Sequence, residues 1–175
     1  MKNKLLFLLK ANSLKLEYTT LNILKGAIIY SIGDTIAALF LKEFSLTRLL
    51  GMILIGATFY AFEIPNYFKW IDKKTNHIEG LKLTLAKTLL AMLYFNPLWI
   101  ARHLFFIKLF SGKFGEIGLV LLQIAFWSFL ANILISFIGN FIIQNKINLK
   151  WRFLASAIFS ALMAIYYALS ETLFT

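Results

Sequence analysis

The chain has 175 residues, of which 60% are hydrophobic and 17% aromatic, with a formal charge of +10 and no cysteine. A water-soluble domain is roughly 45–50% apolar, so the composition excludes an ordinary soluble fold and points to a polytopic membrane protein. The missing cysteine excludes disulfides and thiolate metal sites, and cations placed between apolar runs, rather than among aromatics on a polar face, argue against nucleic acid as a partner.

In chain order, residues 1–20 begin Met1-Lys-Asn-Lys-Leu-Leu-Phe-Leu-Leu-Lys10. The apolar core is too short for a signal peptide, and no small-residue cleavage site follows it. The pattern predicts a basic amphipathic helix on the membrane surface, with Leu5, Leu6, Leu8, Leu9 and Leu14 in the interface. Five apolar runs follow, at about 22–41, 47–70, 83–110, 116–143 and 151–173. Each reaches the ~20 residues that cross ~30 Å of hydrocarbon as a helix. Pro65 and Pro97 fall inside the second and third and should bend them. The connections are short, so residues 1–175 form a single transmembrane domain, an all-α polytopic helix bundle.

The cations set an orientation. With the N-terminus on the cytoplasmic or matrix side, that face holds Lys2, Lys4, Lys10, Lys15, Lys69, Lys73, Lys74, Lys82, Lys146, Lys150 and Arg152. The other holds Lys42, Arg48, Lys108 and Lys113, which gives a positive-inside bias. Neither the compartment nor the kind of membrane follows from it.

Polar residues within the apolar runs are the candidate functional groups, because a charge in hydrocarbon costs roughly 2.5–3.5 kcal/mol on insertion scales. At ~1.5 Å of rise per residue, Lys25 and Lys87 lie roughly 5–7 Å deep and Glu63 roughly 10 Å, which makes Glu63, Lys87 and Lys25 candidates for an intramembrane charge pair. Asp34, Asn96 and Asn132 fall roughly 16–21 Å deep, with Ser31 a turn away, and are candidates for a polar path. Arg102 and His103 fall near the far end of the third run. His77 and His103 have no second ligand at metal spacing. With no phosphate loop, serine elbow or paired carboxylates, neither a cofactor nor an enzymatic activity is expected. Ser156, Ser160, Ala164 and Ala168, spaced by four, form a small-residue stripe for close helix packing. Its partner is another helix of the bundle or a second copy of the chain.

The order of several elements resembles a family of small organellar membrane proteins, the Mpv-seventeen and peroxisomal membrane protein twenty-two family. They are Gly33-Asp34, then Arg48 and Gly51, then Asn66-Tyr67-Phe68-Lys69-Trp70-Ile71-Asp72. Lys87-Thr-Leu-Leu-Ala-Met-Leu-Tyr-Phe95-Asn-Pro97, Asn140-Phe141, Arg152 and Tyr167-Ala-Leu-Ser170 continue the likeness. The chain departs from the family at Ala91-Met92, where members carry Asp-Gln. The resemblance implies four spanning helices where the apolar runs give five. It also implies a weakly selective channel or small-solute permeation protein in the lipid bilayer. The alternatives are a non-catalytic scaffold or assembly protein and a subunit of a larger transporter. A permeation role makes Asp34 the gate or selectivity group.

Overall fold

In the computed structural model, residues 15–174 are described, the side chains at 164 and 167–174 excepted. They form an all-α bundle, with no strand among them. Its helices are α1 (Thr20–Phe40), α2 (Leu46–Ile55), α3 (Ala61–Thr75), α4 (Gly80–Tyr94), α5 (Pro97–Phe110), α6 (Val120–Lys146) and α7 (Leu149–Phe174). A π turn, Gly56–Tyr60, joins α2 to α3 in one rod, and a 3₁₀ turn, Phe114–Glu116, lies between α5 and α6. Thr20–Phe40, Leu46–Thr75, Gly80–Phe110 and Val120–Lys146 are each long and apolar enough to cross a membrane. These are the dimensions and composition of a multi-pass membrane protein.

The helix ends follow local chemistry. The Thr19 hydroxyl accepts from the Asn22 amide at 3.2 Å, and the Ser45 hydroxyl accepts from the Arg48 amide at 3.2 Å, each meeting a donor that the helix leaves free. Asn96 caps α5 by accepting from the amides of Leu98 and Trp99, with Pro97 at the first helical position, where its missing N–H costs nothing. Pro97 therefore splits the third run into two helices rather than bending one. Pro65 sits inside α3, and the widened π turn lies just N-terminal to it. The fourth run, expected from 116, becomes helical only at Val120, because Gly115 and Gly118 frame a turn.

The surface helix expected over residues 1–20 lies outside the described residues up to residue 14, and residues 15–19 are not helical. They are tied to α3 instead. The Asn66 side chain accepts from the Glu17 amide at 2.7 Å and donates to the Glu17 carbonyl at 2.8 Å. Tyr18 donates to the Ala57 carbonyl, and Glu17 pairs with Lys69.

The rod Leu46–Thr75 is the spine of the bundle, with Met52, Tyr60, Ile64, Phe68 and Ile71 buried. It packs on α1, α4, α5 and α7, while α7 runs along α1, and α6 closes the other side against α4, α5 and α7. The exposed surface is apolar, as a lipid-facing surface must be: Leu24, Ile28, Ile32 and Ile36 line one face of α1. Ser156 of the small-residue stripe is buried within the bundle, and Ser160 faces a small interior cavity. The side chains of Ala164 and Ala168 lie outside the described residues.

Where α1 meets the π turn the two backbones touch. A Cβ placed on Gly26 would lie 2.1 Å from the Gly56 carbonyl oxygen, and one on Gly56 would lie 2.3 Å from that of Gly26. Backbone on both sides cannot yield as a side chain would. Gly26→Ala should therefore cost stability at the upper end of the ~1–3 kcal/mol usual for overpacking, read as a lower unfolding temperature in detergent. Gly115→Ala, with open space around it, should leave that temperature within a degree or so of wild type.

Candidate functional site

The interior contains guanidinium–carboxylate pairs, each held by two hydrogen bonds. Asp34 on α1 accepts from Arg48 Nε at 2.8 Å and from Arg48 Nη2 at 2.7 Å, and both residues are 2% exposed. The fork matches both carboxylate oxygens, the strongest form of such a pair. The Asp34 carboxylate is therefore held by Arg48, not by Asn96 or Asn132 as its depth had implied. From Arg48 the charges run outward through the loops. Arg48 Nη1 lies 3.6 Å from Glu43, Glu43 lies 2.5 Å from Lys113, and Glu116 lies 2.5 Å from the buried Lys108. This end of the bundle, the Phe40 end, is thus tied together across the α1–α2 and α5–α6 loops.

Glu63 does not pair with Lys87 or Lys25. Its carboxylate accepts from Arg102 at 2.7 and 3.0 Å and from the Tyr94 hydroxyl at 2.7 Å. The break at Asn96 allows this, since α4 and α5 then reach one carboxylate from two directions. Beside it, the Tyr60 hydroxyl and His103 Nδ1 lie 2.9 Å apart, and the Trp99 ring stacks on the imidazole at 5.5 Å. Lys87 pairs with Asp72 at 2.7 Å, and Arg152 donates to both oxygens of Asp72. Lys25 lies over the Trp151 ring, 5.1 Å from its centroid.

Ser31 donates to the Ile28 carbonyl of its own helix, and Asn96 is taken up by its cap. Asn132 is buried, and its amide donates to Ser136 Oγ at 3.2 Å and lies 3.0 Å from the Met163 sulfur. Asn132 belongs to a larger feature. Ser128, Asn132, Ser136, Asn140 and Gln144 recur every fourth residue along the buried face of α6. At ~1.5 Å per residue this polar seam runs about 24 Å, most of a bilayer's hydrocarbon. Several of its atoms are buried and make no hydrogen bond to the described residues: Ser128 Oγ, Asn132 Oδ1, and both Oε1 and Nε2 of Gln144. Trp99 Nε1 is in the same state. Ser136 and Asn140, with Trp99 and Ser160, line a cavity of about 20 Å³, room for about one water molecule.

No family model, curated protein or solved structure matches this chain. The geometry carries the functional argument alone.

Arg102, Tyr94, Asp72 and the α6 seam were not singled out from the sequence as site residues. The seam had a readable signal: five polar residues at four-residue intervals in an otherwise apolar run. Arg48 enters the sequence reading as a topology marker and as an element of the family resemblance, not as a partner of Asp34, yet a long guanidinium near a helix start can reach a carboxylate two turns from the end of the preceding helix.

Removing one partner of a buried pair strands the other charge. Arg48→Met should lower stability by about 3–5 kcal/mol, and adding Asp34→Leu should recover most of that loss. Denaturant unfolding in micelles checks this, and equal losses in the single and double variants would rule out the stranded carboxylate as the cause.

In the α5–α6 loop, the Lys108 hydrogen bond holds the Glu116 carboxyl below its usual range, against an opposing effect of burial and with help from the Lys108 and Lys113 charges. A carboxyl shifted down in the folded state stabilises above its unfolded pKa and loses that contribution as pH falls through the folded value. Wild type should therefore lose more stability than Glu116→Gln on acidification below about pH 4.5, checked by melting both proteins from pH 6 to 3.

Proposed function

We propose that this chain is a multi-pass membrane protein of the small-solute permeation class, with a polar track along α6 that is narrow in this structure. The observation that carries the reading is the α6 seam. Five polar side chains face the interior of α6 at one spacing, and several of their atoms have no hydrogen-bond partner among the described residues. Such groups are costly where no water reaches them, and they suit a path along which a hydrated or hydrogen-bonding solute replaces the missing partners. The seam has no ionised group, which favours a small neutral or weakly polar solute over a single ion species.

On this reading Asp34 does not line the track as a bare charge. It acts as a latch, holding α1 to α2 at the Phe40 end through Arg48. The resemblance to the Mpv-seventeen family fits the same class, and membership in that family is part of the proposal.

A second reading, a non-conducting assembly protein, draws on the full pairing of Asp34 and the tight Gly26–Gly56 crossing.

Osmotic swelling of vesicles containing the purified protein separates the two. Permeation predicts glycerol-driven swelling faster than in protein-free vesicles, reduced several-fold by Asn132→Leu with folded yield retained. Asp34→Asn/Arg48→Gln, which removes both charges together, should raise the rate by loosening the latch. Rates equal to those of empty vesicles, from folded and inserted protein, would defeat the permeation reading.

A further inference from the structure

The end of the bundle opposite the Arg48 network is built differently. Between residues 15–19, the start of α1, α3 and the start of α7 lies a partly enclosed cavity of about 340 Å³. That falls within the ~300–1,000 Å³ of ligand-binding pockets and far exceeds the cavity on the α6 seam. Pro65, Phe68 and Phe153 form its apolar wall. Its polar groups come from Asn22, Lys69, Lys150 and Glu17.

These groups are not equally free. Lys69 is paired with Glu17, and the Glu17 backbone is held by the Asn66 side chain, so this side of the cavity is fixed. Asn22 is 8% exposed, and only its backbone amide is engaged, in the Thr19 cap, so its side-chain amide lines the cavity with no hydrogen bond to the described residues. Lys150 is exposed at the rim, its ammonium 5.8 Å from the Trp151 ring centroid. The Trp151 ring, with Lys25 and Lys150 over it, marks this level as the headgroup layer.

We propose that this cavity binds the headgroup of an anionic phospholipid. The Lys150 ammonium and the Asn22 amide donate to the phosphate oxygens, and Phe68, Phe153 and Pro65 take the adjoining methylenes. With Lys69 neutralised by Glu17, the lining keeps one net positive charge, the complement of a phosphodiester. A phosphate monoester brings about −1.5 to −2 and no tail for the apolar wall, which disfavours a soluble phosphate as the ligand. The inference requires only that the chain sits in a bilayer, not that a solute passes through it.

Native mass spectrometry of the detergent-solubilised protein, titrated with phosphatidylglycerol or phosphatidylcholine, is the test. Wild type should retain one phosphatidylglycerol per chain in preference to phosphatidylcholine. Lys150→Gln should weaken retention about fivefold, the usual effect of one cation near an anionic headgroup. Lys74→Gln should change nothing, because Lys74 is exposed in the last turn of α3 and does not line the cavity. Excess glycerol phosphate should not displace the lipid. Equal loss in the Lys74 variant would reduce the effect to general surface charge and overturn the site. Equal retention of phosphatidylcholine would overturn the headgroup assignment, and displacement by glycerol phosphate would make a soluble phosphate ester the ligand instead.

Discussion

Hydrocarbon offers a buried carboxylate neither water nor counterion, so Asp34 could be kept in α1 only with a partner supplied by the chain itself. Arg48 meets that demand with two hydrogen bonds, and much of the neighbouring structure follows. The α1–α2 turn has to be short so that the guanidinium, near the start of α2, can reach back along α1. Ser45 has to fix the first turn of α2, which it does by accepting from the Arg48 amide. The third guanidinium nitrogen, turned toward Glu43, then draws Lys113 and the α5–α6 loop to the same end. One desolvated charge thereby specifies a corner of the bundle. Such a pair adds little net stability, and it acts by penalising every arrangement in which either charge is left alone.

The same rule is met differently elsewhere. Along α1 the neighbouring elements approach closely: a Cβ on Gly33 would sit 2.5 Å from the Ala161 side chain of α7, and Gly26 meets Gly56 of the π turn backbone to backbone. Dispersion between close backbones does there what hydrophobic burial cannot do in lipid, where both alternatives are apolar. On the α6 side the interior is polar and only partly satisfied. The bundle thus combines close backbone packing along α1 with a polar seam along α6.

The fold was legible because its signal is bulk hydropathy: each of the five apolar runs is helical, with the third broken in two at Asn96-Pro97 and the start of the fourth displaced by a few residues at a glycine turn. The polar contacts were less legible, and for a definite reason. Depth estimates from straight, untilted helices put Asp34 level with Asn96 and Asn132, but they ignored the reach of arginine and the break at Pro97. They paired Glu63 with the nearest lysines, although an α4–α5 discontinuity lets Tyr94 and Arg102 converge on it. Asn96 was read as a polar-path residue because its depth was counted and its neighbour was not: an Asn directly before Pro97 is first a helix cap. The α6 seam carried a clean periodic signal in the sequence, but Ser, Asn and Gln draw less notice than a carboxylate.

The two ends of the bundle are each tied by charges. At the Phe40 end, the Asp34–Arg48–Glu43 charges hold α1 and α2 together, and Lys113 extends the link to the segment before α6. At the Thr20 end, Asp72 gathers Lys87 and Arg152, joining α3, α4 and α7, and Arg152 also donates to the Ile147 carbonyl at the end of α6. There α6 is held to α4 by the neutral Asn145 amide, which donates to Thr84 and Thr88. Neutral hydrogen bonds of this kind are roughly half as strong as charge-assisted ones. The bond from Arg152 to the Ile147 carbonyl is charge-assisted, so it holds the Lys146 end of α6 more firmly than the Asn145 contacts do. Seam atoms with no hydrogen-bond partner among the described residues lie toward both ends, at Ser128 and Asn132 on one side and at Gln144 on the other, so the polar seam is tied at both ends of the bundle and incompletely satisfied along its length.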